Sequence, residues 1–273
     1  LEQIKKIIHK TKAFFVWGGS LGLAPVDDKI IRIERIVKLD SEAQLLASIL
    51  SKKISVDSKY ILIDVPYGKS AKVSKREAEK LKLKFLNLGK KFDLKLEVVL
   101  TDGSQPIGNG IGPVLEMLDI LRVLKRESSP KDLEDKSVML AGRIFEMVGK
   151  SKKGKGEKLA KKILDSGKAF AKFKEIIEAQ SGKIKKLELG KYTFDVHAEK
   201  NLVVKSIDNK LVNSLARTAG CPEDKSAGIY LYKKVNQKTE KGEKLLTIYA
   251  TSEEKLKYAI KFYKQNQNQI IAF

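Results

Sequence analysis

Apolar positions recur along the first half of the chain in two rhythms, and the alternation between them predicts its elements. Leu1-Glu-Gln-Ile-Lys-Lys-Ile-Ile8 has the spacing of an amphipathic helix. Ala-Phe-Phe-Val-Trp at 13–17 reads as a buried strand stopped by Gly18-Gly19, and 29–37 as a strand in which Ile31, Ile33 and Val37 alternate with charged positions. Ser41-Glu-Ala-Gln44 is a capping pattern ahead of a helix with Leu45, Leu46, Ile49 and Leu50 on its apolar side. Tyr60-Ile-Leu-Ile-Asp-Val65 has the short apolar run of a buried parallel strand. A second capping box, Ser74-Lys-Arg-Glu77, starts a helix to about Gly89. A strand at 94–100, a glycine-rich loop at 102–113 and a helix over 113–125 follow. Strand and helix in alternation predict an α/β fold, a mostly parallel sheet with flanking helices.

Beyond Ser129-Pro130 the rhythm changes. Helices are expected from 130 and over 156–179, followed by short apolar segments at 185–189, 192–196, 202–207, 228–232 and 245–249. One helix at about 208–218 interrupts them, and Thr251-Ser-Glu-Glu254 caps a last helix. This is the pattern of a smaller α+β C-terminal domain. The expected division is 1–182 and 183–273.

Composition narrows the functional classes. No apolar run exceeds five residues, far short of the roughly 18 a spanning helix needs, so a membrane protein is not expected. A single cysteine, Cys221, excludes a disulfide framework, and two histidines argue against a multi-histidine metal site. The net charge of +21 first suggests nucleic acid. The lysines, however, are interleaved with glutamates, and their densest stretch, 150–191 with 14 Lys against 5 acidic residues, reads largely as helix with a solvated face. Lysine and glutamate enrichment with few Cys and Met also fits a thermophile surface. A basic RNA-binding module is therefore the alternative, not the main reading.

In an open α/β sheet, ligands bind beyond the carboxyl ends of the strands. The loops expected there are 18–28, 38–41, 66–73 and 102–113. Asp27 and Asp28, at a strand entrance, read as turn residues. Asp40 stands just ahead of a capped helix and reads as a partner for its dipole. Ser48 and Lys52 are four residues apart on that helix and share a face. Such a pair can grip the carbonyl and ring nitrogens of a base, or form an ordinary solvated stripe. Lys72 lies in Gly68-Lys-Ser-Ala-Lys72, before a helix N-terminus that favours anions, although the spacing is not that of a P-loop. Four glycines in 102–113 point to close backbone approach.

Taken in order, these loops resemble the thymidine/pyrimidine nucleoside phosphorylase family, nearest its archaeal AMP phosphorylase branch. The resemblance is carried by Val-Trp-Gly-Gly-Ser-Leu-Gly-Leu-Ala-Pro-Val-Asp-Asp-Lys at 16–29, Leu-Asp-Ser at 39–41, Ala-Ser-Ile-Leu-Ser-Lys-Lys at 47–53 and Ile-Asp-Val-Pro-Tyr-Gly-Lys-Ser-Ala-Lys-Val at 63–73. It continues in Thr-Asp-Gly-Ser-Gln-Pro-Ile-Gly at 101–108, Phe-Lys-Glu-Ile-Ile-Glu-Ala-Gln at 173–180 and the segment 216–229. It implies phosphorolysis of a nucleoside 5′-monophosphate, with inorganic phosphate as co-substrate, no cofactor and no metal. Asp40 is then the expected acid, Ser48 and Lys72 nucleotide contacts, and Lys52 the lysine used on the base by pyrimidine-type members. Ile-Glu-Arg at 33–35 departs from the Leu-Arg-Asp of the pyrimidine enzymes, and Ser70 breaks a glycine pair in the 68–73 loop. The resemblance further implies a cytoplasmic protein and a homo-oligomer in the full-length enzyme. It also implies that this chain is a C-terminal portion lacking an upstream phosphate loop, and inactive alone. A thymidine/pyrimidine nucleoside phosphorylase is the alternative within the enzymes.

Overall fold

The computed structural model describes residues 2–16, 22, 24–37 and 41–273. It is a mixed α/β structure in which a parallel strand pair and a four-stranded antiparallel sheet each organise a hydrophobic core. Helix α1 (Glu2–Thr11) is followed by an irregular stretch, then by α2 (Pro25–Val37) and α3 (Glu42–Ile54). Strand β1 (Tyr60–Tyr67), helix α4 (Lys75–Lys91) and strand β2 (Lys95–Asp102) form a β-α-β unit with parallel strands, Tyr60 opposite Lys95 and Tyr67 opposite Asp102. Ile61, Ile63 and Val65 of β1 are buried against Ala78, Leu81 and Phe85 of α4 and against Leu46 and Leu50 of α3. The helical spacing of Ala78, Leu81 and Phe85 is what turns one face of α4 onto the strands.

Two expected strands are not formed. Residues 29–37 belong to α2. Ile30, Ile33 and Val37 are spaced i, i+3, i+7, so Ile-Ile-Arg-Ile-Glu-Arg-Ile-Val fits a period of 3.6 as well as 2. Pro25 at the first helical position, with Asp27 and Asp28 in the first turn, decides for helix. Residues 13–16 have no regular structure, while Trp17 lies outside the described residues. In place of a neighbouring strand, the Gln180 side-chain amide meets the Phe15 backbone: Phe15 N donates to Oε1 at 2.7 Å and Nε2 donates to Phe15 O at 2.6 Å. Phe15 also packs edge-on against Phe173, 5.7 Å between ring centres. Those two contacts account for the Phe and Gln that bound the 173–180 motif. Among the described residues the parallel sheet is thus the β1–β2 pair.

The glycine-rich loop after β2 leads into β3 (Gly110–Ile111) and α5 (Pro113–Lys125), and α6 (Lys131–Met147) follows. The helix expected over 156–179 is divided into α7 (Gly156–Asp165) and α8 (Lys168–Ala179) by Gly167 at φ +74°. Then come β4 (Tyr192–His197), β5 (Leu202–Val203), β6 (Ser206–Ile207), α9 (Asn209–Thr218), β7 (Gly228–Leu231), β8 (Lys238–Thr239), β9 (Lys244–Ala250), α10 (Glu253–Ile270) and β10 (Ile271–Ala272). Residues 182–190, which include the expected segment 185–189, have no regular structure. The four-stranded sheet runs β3-β7-β9-β4 with antiparallel neighbours, and α9 and α10 cover its inner face.

Strand β3 therefore comes from the loop after the parallel pair and pairs with β7 beyond residue 182, Gly110 opposite Tyr230. Glycine is required there by contact within the chain. A Cβ on Gly110 would stand 2.5 Å from the Leu115 carbonyl, and Gly112, at φ +129°, would place one 2.5 Å from Ala227 O.

Candidate functional site

The polar centre of the N-terminal region is Asp27, on the first turn of α2. Its carboxylate is 7% exposed and faces α3. Gln44 Nε2 donates to Oδ1 at 2.9 Å, Ser48 Oγ donates to Oδ2 at 2.9 Å, and Lys52 Nζ lies 2.6 Å from the same Oδ2. Gln44, Ser48 and Lys52 follow one another at i, i+4, i+8, a single stripe on α3 distinct from the one that buries Leu46 and Leu50. Ser41 caps this helix, accepting from Gln44 N at 3.4 Å, so one residue serves the start of α3 by its backbone and Asp27 by its side chain.

Ser48 and Lys52, expected on one face, are indeed adjacent: Lys52 Nζ is 3.4 Å from Ser48 Oγ. Asp27, read from sequence as a turn residue, is what holds them. The available signal was the pairing of Pro25 with acids two and three residues later, which marks a helix start, and an alternation that also fits a strand obscured it. Asp40 lies outside the described residues, and so do the side chains of Arg32 and Arg35.

Lys72 is exposed on the loop 68–73 that follows β1. That loop is pinned from two sides. Gly68 sits so close to the 103–104 backbone that a Cβ would be 2.8 Å from Ser104 N. Ser70 Oγ accepts from Asn209 N at 3.2 Å and from Asn209 Nδ2 at 3.0 Å, and Asn209 Nδ2 also donates to Gly103 O at 2.8 Å. The residue that breaks the glycine pair thus ties the loop to α9. Sequence reasoning had no means of finding this contact, because its partners are 139 residues apart.

The helix N-terminus behind Lys72 already carries an anion of its own. In the capping box of α4, Ser74 N donates to Glu77 Oε2 at 2.7 Å and Glu77 N donates to Ser74 Oγ at 3.4 Å. The bonds its carboxylate accepts from Ser74 N and, at 2.8 Å, from Ser74 Oγ hold the Glu77 carboxyl below its ordinary range.

The glycine-rich loop 102–113 is equally committed to the chain itself. Asp119, 1% exposed, accepts from the N–H groups of Asn109 and Gly110, both at 2.7 Å. Lys234 donates to Pro106 O at 2.7 Å and to Gly108 O, and lies 3.1 Å from Asp132. Burial pushes the Lys234 ammonium below the usual lysine range, the Asp132 charge opposing it. Beside this loop, Asp64 on β1 accepts from Thr101 on β2 at 2.6 Å and pairs with Lys136 of α6 at 2.5 Å. Thr101 and Lys136, with Gln105 and Asp132, line a cavity of about 320 Å³.

Residues 203–269 match the Pyrimidine nucleoside phosphorylase C-terminal domain. Over nearly the whole chain the match is to proteins named AMP phosphorylase: 47% identity to that of Pyrococcus horikoshii across 95% of this chain, and 44% to that of Methanococcus aeolicus across 97%. The chain is a homologue of the AMP phosphorylases. It spans about half of their length, 53% in both cases. A Hahella chejuensis protein with a provisional thymidine phosphorylase name is 42% identical across 99% of the chain. The phosphorylase C-terminal domain contains α9, whose first residue, Asn209, clamps Ser70.

Proposed function

We propose that this chain forms part of an enzyme that splits nucleoside 5′-monophosphates with phosphate, AMP and phosphate giving adenine and ribose 1,5-bisphosphate. The observation that carries the reading is the joining of Ser48 and Lys52 on one half-buried edge by a buried carboxylate, an arrangement suited to a flat ligand with donors and acceptors on its rim. Similarity to named AMP phosphorylases supports the nucleotide as substrate.

In phosphorolysis a phosphate oxygen attacks the anomeric carbon while the C–N bond to the base breaks. Negative charge then develops on the base and has to be met by a proton or a fixed cation. In this reading Lys52 and Ser48 hold the base, Lys72 approaches the nucleotide from the loop after β1, and Asp40 delivers the proton as the base departs. The cytoplasm is the proposed location and a homo-oligomer the proposed state of the full-length enzyme. This segment alone is proposed to be inactive, since the reaction needs two reactants held in one closed cleft.

A pyrimidine nucleoside substrate is the second reading, favoured by Lys52 and by the Hahella relative. Base release from AMP, CMP, UMP, thymidine and uridine, measured with phosphate on the full-length protein, separates the two. Release from AMP with none from thymidine or uridine upholds the nucleotide reading. The reverse result overturns it.

A further inference from the structure

Both oxygens of the Asp27 carboxylate are occupied by its own chain, Oδ1 by Gln44 and Oδ2 by Ser48 and Lys52. With 7% of its surface exposed, it is poorly placed to touch a ligand. We infer that Asp27 is a positioning residue for the base: it sets which hydrogen-bond roles Ser48 and Lys52 present to the ligand. The inference rests on the proposed function in taking the ligand of this edge to be a nucleobase.

A serine hydroxyl has one proton to donate. Ser48 gives it to Asp27, so toward a ligand Ser48 can only accept. An ammonium has three N–H bonds. Lys52 directs one at Asp27 and a second toward Ser48 at 3.4 Å, which leaves one for the ligand. The edge therefore reads as an acceptor beside a donor, and it fits a base that presents an N–H next to a carbonyl or ring nitrogen. Without the carboxylate, Ser48 is released to rotate and Lys52 to swing into solvent, and the pattern is lost while both side chains remain. The i, i+4, i+8 stripe on α3 is thereby given its direction from a different helix, α2.

The test uses the full-length protein. Release of base by the unmutated enzyme first establishes the working substrate among the five named above. Asp27→Asn keeps the shape of the side chain and is expected to raise KM for that substrate about tenfold or more, with a smaller change in kcat. In a Lys52→Met background the same change is expected to raise KM by a smaller factor than it does alone, because of its two positioning contacts only the one to Ser48 is left to break. Losses that simply multiply across the two variants overturn the inference. Asp27→Glu, which preserves the charge and moves it by one methylene, is expected to raise KM as well, and an unchanged KM overturns the inference even if Asp27→Asn does not fold. A readout without turnover separates this from the functional reading. The NMR resonance of ¹³C-dimethylated Lys52, assigned by its loss in Lys52→Arg, should move in Asp27→Glu and stay in place in Asp28→Asn. If no substrate is turned over but that resonance moves as expected, the proposed function fails and the positioning geometry stands. If it does not move, Asp27 does not position Lys52.

Discussion

The two ends of the chain are ordered by different forces. In the C-terminal sheet, Leu231 on β7 and Leu246 and Ile248 on β9 are fully buried beneath α9 and α10, and apolar packing holds them. Around the candidate site, α2 carries Val26, Ile33 and Ile36 with 60 to 80% of their surface exposed, and its described contact with α3 runs through Asp27. One region is a core with some polar edges. The other is a polar junction at the margin of a core. A carboxylate can aim side chains as packing alone cannot, because each hydrogen bond has a direction, and the local fold then depends on one residue.

The contrast breaks most readily at the sheet. Ile248→Ala removes a side chain with no exposed surface and is expected to cost about 2–5 kcal/mol in chemical denaturation. A loss below about 1 kcal/mol would mean that the sheet is not the stronger half. Next comes the junction between the two cores. Gly110→Ala forces a Cβ against the Leu115 carbonyl and is expected to cost roughly 1–3 kcal/mol, with faster hydrogen exchange in β7. Unchanged exchange would mean that β3 contributes nothing to the sheet.

Smaller effects sharpen the picture at the helix starts. Ser74→Ala, which dismantles a complete capping box, is expected to cost about 1 kcal/mol by thermal denaturation. Ser41→Ala should cost less, about 0.5 kcal/mol, since its bond to Gln44 N is 3.4 Å long. The last effect is read from its pH dependence and concerns the clamp between α5, α6 and α7. There Glu134 meets Arg126 at 2.5 Å and Lys161 at 2.8 Å, and the Arg126 hydrogen bond above all draws its carboxyl down to about 2. The folded value lies below the unfolded one, so the stabilisation is present above the unfolded pKa of about 4.5 and is lost as pH falls toward 2. Glu134→Gln should flatten the stability profile in that window and leave its shape near neutrality unchanged.

Legibility in the sequence followed the range of the forces involved. Capping boxes were readable because their partners are three residues apart, and Ser74 and Glu77 are bonded as the pattern implied. The helix over 113–125 was readable from the proline that opens it, and the strand from Tyr60 from its short apolar run. Ser48 and Lys52 could be placed on one face by helical geometry. Asp27 could not be joined to them, because it is 21 residues from Ser48 and belongs to another helix. The strand expected over 29–37 failed because two periods fit the same eight residues, and the first-turn signals at 25–28 outweighed the alternation.

By itself the sequence determined what depends on neighbours along the chain: where most helices begin, which faces of them are apolar, and the phosphorylase likeness carried by its loop motifs. Tertiary structure alone decided that a loop strand at 110–111 joins a sheet more than a hundred residues away, that Gln180 completes the backbone of Phe15, that Ser70 is clamped by Asn209, and that Asp27 directs Ser48 and Lys52. Each of these contacts is a directional polar bond or a close backbone approach between distant segments. Such a contact leaves no periodic trace in the chain, so it becomes visible only when the segments meet.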